Sequence, residues 1–220
     1  MYPEIVFGGG THAAWFEGAS KQHRRSMKRQ AMTAVESSAR VLAELLEMPQ
    51  YIQVRFQSDR KLGEGTYASA NGSLIAFGQD CFLEYDGDGA VMRGIGAHEL
   101  SHLSDALTGN NCLDGGIENE LVSEGKAEVV GCDVGGGAYE DALSELAPIS
   151  GEELLEVLDM PTPRARRMVT DNNGVYAVGK AMIEEVLSFR NVYIYDVHSN
   201  PSEYFLESFL RLQGYYGPSR

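Results

Sequence analysis

His98 and His102 stand four apart in the run His98-Glu99-Leu100-Ser101-His102. On a helix that spacing puts one imidazole above the other on a single face, about 6 Å along the axis, so both can reach one ion. Zinc would take two nitrogen ligands there, while Glu99, one residue round the helix, could aim its carboxylate at a water on the metal's open position and act as general base. Val91, Ile95, Ala97, Leu100, Leu103 and Leu107 make the surrounding helix apolar, which takes both imidazoles out of bulk water. A lone buried histidine is usually satisfied by a backbone carbonyl; a buried pair at this spacing calls for a shared partner.

A catalytic zinc needs a third protein ligand and keeps its fourth position for water. Glu124, 22 residues after His102 in Leu121-Val122-Ser123-Glu124-Gly125-Lys126-Ala127-Glu128, is the leading candidate, with Glu118, Glu120 and Glu128 as alternatives. The interval lets one helix end, turn through residues 109–112 and return as a second helix. Glu128 lies one turn beyond Glu124 on the same face and could accept the second ring N–H of a ligand histidine. Two acids one turn apart repel unless a cation lies between them, a further reason to expect a metal.

These residues resemble the gluzincin metallopeptidases, in which a histidine-glutamate helix is answered by a glutamate on a following helix. Glu124-Gly125-Lys126-Ala127-Glu128 is similar to the glutamate-glycine-x-alanine segment of that clan. The order of features also resembles a family of uncharacterised predicted zinc-dependent proteases, with a strand region, the histidine helix, a glutamate-glycine helix and a tyrosine-x-x-glycine helix. Tyr176-Ala177-Val178-Gly179 would be the last of these, so the likeness spans roughly residues 60 to 210. The resemblance implies a zincin-like fold with His98, His102 and Glu124 binding Zn2+, Glu99 activating water and Glu128 behind the ligands. Lys126 departs from it, standing where apolar residues are usual.

Hydrolysis by such a centre needs a donor for the developing oxyanion. Tyr176 is the first choice and His198 the second. Peptide hydrolysis is the expected reaction, with a peptide or protein as substrate, and attack on another acyl centre is the neighbouring possibility. The competing class is a non-catalytic protein with a closed, structural metal site that draws on Cys112 or Cys132. Glu99 separates the two, because a structural site has no use for a carboxylate beside the first histidine.

The elements that must position these groups are legible in outline. Residues 4–7 read as a strand, 17–48 as a long helix stopped by Pro49, 51–57 as a half-buried strand, and 66–84 as two or three more strands turning at Asn71-Gly72. Ser73 to Gly78 could pair with an extended peptide if it formed an edge, or lie inside the sheet. Helices follow at about 90–107 and 117–132, in short pieces at 139–147 and 151–158, and at 175–189 and 202–212. Residues 192–197 read as extended, and 159–174 as a linker. The expectation is an α+β chain forming one catalytic unit, with a small mixed sheet, a long helix and the histidine helix in residues 1–107 and a mainly helical part in 108–220.

Composition narrows the partners. The 220 residues carry 32 acidic and 18 basic side chains, a net charge of −14, which repels phosphate backbones and anionic lipid. No nucleic-acid and no membrane partner is expected. The one basic cluster, Lys21 to Arg29, falls within a helical pattern and reads as a solvated face. Three cysteines without a disulfide-type spacing, and no signal-like start, point to the cytoplasm. His12 and His23 fit no ligand pattern and read as surface or structural residues.

Overall fold

The computed structural model describes residues 2–8, 13–58, 62, 66–109, 117–143 and 174–212. The first strand, β1 (Glu4–Phe7), and the alternating stretch of β2 (Tyr51–Phe56) form as expected, with Ile52, Val54 and Phe56 buried. β3 (Ala68–Asn71) turns into β4 (Leu74–Phe77) at Gly72, whose φ of 64° a residue without a Cβ adopts at little cost. Strand order is β1-β2-β4-β3, with β1 parallel to β2, β2 parallel to β4, and β3 antiparallel to β4. This small mixed sheet near the N-terminus, followed by helices, makes the chain α+β. β4 is paired on both sides, so the stretch expected as a possible peptide-binding edge is interior; among the described residues the sheet's edges are β1 and β3.

The long helix expected over 17–48 is two helices, α1 (Ala14–Gly18) and α2 (Lys21–Leu42). The break follows from capping: Ala19 is extended, and the Ser20 side chain accepts the His23 N–H at 3.2 Å to start α2 afresh. α1 lays Trp15 and Phe16 on the ring of Phe56, at centroid distances of 5.4 and 4.5 Å. α2 stops at Leu42, short of Pro49, where the N–H groups of Leu45 and Leu46 both turn back to the Leu42 carbonyl. It buries Met27, Ala31, Ala34, Val35, Ala39 and Leu42, and leaves Lys21, Arg25, Lys28 and Arg29 exposed, as a solvated basic face.

After β4 the chain forms α3 (Gln79–Glu84) instead of a third strand of the 66–84 region. Its adjacent Cys81 and Phe82 are both buried, which an alternating strand facing one core does not allow. Next come α4 (Gly89–Thr108), α5 (Ile117–Gly135) and α6 (Gly137–Leu143). α7 (Gly174–Arg190), α8 (Ile194–Val197) and α9 (Ser202–Leu212) complete the described chain. α8 replaces the extended piece expected at 192–197: the Tyr193 N–H donates to Asp196 Oδ2 at 3.3 Å, and Ile194 and Val197 are buried one turn apart. The helix expected at 151–158 and the linker up to residue 173 lie outside the described residues.

α4 is the hub: it packs on α2, α5, α6 and β3. Its crossing with α2 is tight at Gly96, where a Cβ would stand 3.1 Å from the Ala34 carbonyl carbon. Ser38 Oγ lies 2.8 Å from the carbonyl oxygens of both Ala34 and Arg93, tying the two helices together. Among the described residues no helix is long and apolar enough to cross a membrane.

Candidate metal centre

α4 is defined at both ends. Asp88 accepts the N–H groups of Ala90 and Val91 at 3.0 and 3.1 Å, and Gly109 closes the helix with φ 77°. Between these caps His98 and His102 share a face, and α5 packs along it to present Glu124. The Nε2 atoms of His98 and His102 are 3.0 Å apart, and Glu124 Oε2 lies 3.2 Å from the first and 3.3 Å from the second. These three residues form a group able to hold a metal ion, and they are the one such group among the described residues.

The far side of each imidazole is also occupied. His98 Nδ1 lies 3.0 Å from Glu128 Oε1, and His102 Nδ1 is hydrogen-bonded to Ser123 Oγ at 3.2 Å. With a carboxylate behind the first ring and a hydroxyl behind the second, both Nε2 atoms face Glu124. Glu128 in turn accepts from the Tyr139 hydroxyl, 3.2 Å from Oε2 and 3.4 Å from Oε1. Ser123 and Tyr139 were not foreseen from the sequence. The one local hint of Tyr139 is the glycines that make room for its ring.

Charge interactions hold the cluster together. Burial alone would lower both histidines, but the carboxylate of Glu128, with Glu124, carries His98 well above its usual range, and Glu124 lifts His102. Burial pushes against ionisation of Glu124 as well, yet His102 and His98 hold its carboxyl well below the ordinary range. Glu99 is pushed up by burial, with His98 and His102 pulling the other way, and its Oε2 has no hydrogen-bond partner. A buried carboxyl with a free oxygen beside two histidines is suited to taking and returning a proton.

Tyr176 comes to the same place. Its ring centroid is 6.0 Å from that of His98, and burial, followed by the charge of Glu124, raises its phenol so that the group stays a hydrogen-bond donor. The reason it arrives there is a contact between backbones. A Cβ on Gly125 would run into the Gly179 carbonyl, and one on Gly179 into the Leu121 carbonyl. Both glycines of the two sequence motifs are therefore the surfaces on which α7 meets α5.

His198, the second oxyanion candidate, is elsewhere. It is buried, with Nε2 2.7 Å from Ser101 Oγ and Nδ1 3.4 Å from Asp105 Oδ1, and its imidazole is pushed down to about 3 by burial and by Lys126. Lys126, 1% exposed, donates to Asp105 Oδ1 at 2.7 Å and to the His198 carbonyl at 3.1 Å. The lysine that departs from the gluzincin pattern is thus one half of a buried ion pair joining α4, α5 and the segment before α9. Ser101, His198 and Asp105 have the residue types of a nucleophilic triad, but Ser101 is 0% exposed and no substrate can reach it.

The remaining candidates lie apart. Cys132 is half-buried, its thiol pushed up to about 12 chiefly by burial, and it does not join the cluster. Cys112, His12 and Glu118 fall outside the side chains described; His23 is exposed on α2. A groove of about 660 Å3 is lined by Lys21, Gln22, Arg25, Ser26 and Arg29, all from α2, and none of the cluster residues lines it. No protein-family model, curated protein or solved structure matches this chain.

Proposed function

We propose that this protein is a zinc-dependent peptidase of the zincin-like type. One observation carries the reading: two imidazole nitrogens and a carboxylate oxygen converge to within 3.0, 3.2 and 3.3 Å of one another. The donor set and its spacing fit the ion, since ligand atoms about 2.0–2.1 Å from a tetrahedral zinc stand about 3.3 Å apart. Three protein ligands, with side-chain exposures of 20% at His102 and 22% at Glu124, suit a catalytic site that keeps one side open, whereas structural sites close with four.

When bound, zinc lowers the pKa of a coordinated water toward about 7 and polarises a substrate carbonyl. The chain supplies the rest. Glu99 takes the proton of the attacking water and returns it to the leaving amine nitrogen, a double duty suited to a carboxyl raised by burial. Tyr176, protonated and beside His98, is the donor for the developing oxyanion. The substrate is a peptide or protein; the net charge of −14 disfavours nucleic acid, and the cysteine usage suits a reducing compartment such as the cytoplasm.

The test is elemental analysis of the purified protein together with hydrolysis of a peptide mixture. One zinc per chain is expected, lost in His98→Ala and in Glu124→Ala. Glu99→Gln should keep the metal and lower hydrolysis by about 10²–10⁴-fold. Zinc retained without Glu124 would overturn the ligand set, hydrolysis unchanged in Glu99→Gln would make the assigned base wrong, and a zinc-loaded wild type that hydrolyses nothing would leave a structural metal protein.

A further inference from the structure

Tyr139 sits in a slot made by absent side chains. A Cβ on Gly94 of α4 or on Gly131 of α5 would overlap its ring, and one on Gly135 would stand 2.6 Å from its Cβ. The chain reaches this slot by reversing at Gly136, whose φ is 68°, so that α6 brings Tyr139 back against the α5 it has just left. The ring is 4% exposed. At its end the hydroxyl meets both oxygens of Glu128, at 3.2 and 3.4 Å, and Glu128 Oε1 stands 3.0 Å from His98 Nδ1. A tyrosine needed only to fill space would not require its buried hydroxyl to end on a carboxylate; a phenylalanine would fill the same slot.

We infer that Tyr139 is a positioning residue for the metal centre: its hydroxyl fixes the Glu128 carboxylate, which fixes the His98 ring with Nε2 toward Glu124. The inference rests on the metal-binding reading above and adds a member to it. A metal-bound histidine is commonly oriented by an acceptor on its other nitrogen, and loss of that acceptor weakens binding by about 10–100-fold. Here the acceptor has an anchor of its own. Glu128 is 3% exposed, so little water is available to replace the hydroxyl if it is removed.

The experiment is Zn2+ affinity by competition with a chromophoric chelator, on the full-length wild type, Tyr139→Phe, Glu128→Gln and the double variant. Tyr139→Phe keeps the ring in its slot and is expected to bind Zn2+ about tenfold or more weakly, while the apo protein still melts cooperatively, at a midpoint a few degrees lower for the buried carboxylate oxygen left unpaired. In the Glu128→Gln background the same change should have no further effect, because Tyr139 acts through Glu128. An unchanged affinity in Tyr139→Phe, or an equal loss in both backgrounds, would reduce Tyr139 to packing while leaving the metal site intact. A wild type that takes up no Zn2+ would remove the inference together with the reading on which it rests.

Discussion

His198 titrates against the fold. Its folded value, about 3, lies below the ordinary 6.5 because burial disfavours the imidazolium and Lys126, then His102, repel it. The unfolded chain therefore binds a proton that the folded chain refuses. Stability from this residue is complete above about pH 6.5 and falls as pH drops toward 3, by at most about 1.4 kcal/mol per pH unit. Urea unfolding between pH 6.5 and 4 should show a shallower loss in His198→Gln than in wild type; parallel slopes would mean that this histidine does not set the acid response. At this scale the sequence was informative where the chemistry is local. His98, Glu99 and His102 announce themselves because four residues make one helical turn. Ser123 and Tyr139 do not, because each acquires its role from a partner on another helix or beyond a chain reversal.

Pairs of helices here meet through particular atoms. Lys126 and Asp105, both buried and 2.7 Å apart, join α5 to α4 on the side of α4 that also carries Ser101. A buried pair of this kind contributes little net stability, but breaking it strands a charge and costs about 3–5 kcal/mol. Lys126→Met should accordingly lower the unfolding free energy by that amount in denaturant melts, and adding Asp105→Asn should restore most of it. If the single and double variants are equally damaged, the pair is not coupled as the 2.7 Å contact implies. Among the elements, long periodic helices were the legible ones: α4, expected at 90–107, occupies Gly89–Thr108. Short ones were not. α8, Ile194-Tyr195-Asp196-Val197, is mostly strand-favouring residues and is helical through the Tyr193–Asp196 cap, whereas α3, Gln79–Glu84, is too short to show a helical period. Lys126 carried its own signal, a charge four residues from Val122 and from Val130 on a stripe otherwise buried; its partner could not be read without the packing of α5 on α4.

Across the molecule as a whole, the sheet supplies no ligand to the cluster. Its strands hold α2, α2 holds α4, and the centre is assembled from α4, α5 and the helices that lean on them. Two kinds of close approach support that assembly. At Gly94 and Gly131 the neighbouring atoms belong to the Tyr139 side chain; at Gly125 and Gly179 they are backbone. Alanine at any of the four should destabilise, by about 1–3 kcal/mol or more, as overpacking does. The difference appears in a search for suppressors. Damage at Gly94 or Gly131 can be relieved by a smaller residue at 139, which restores folding while giving up the tyrosine hydroxyl. At Gly125 and Gly179 there is no side chain to trim, so no second substitution can compensate. A library of double variants scored for soluble expression should therefore recover rescued clones from the first pair and none from the second, making positions 125 and 179 fixed points from which the chain's sequence cannot drift while this helix crossing is kept.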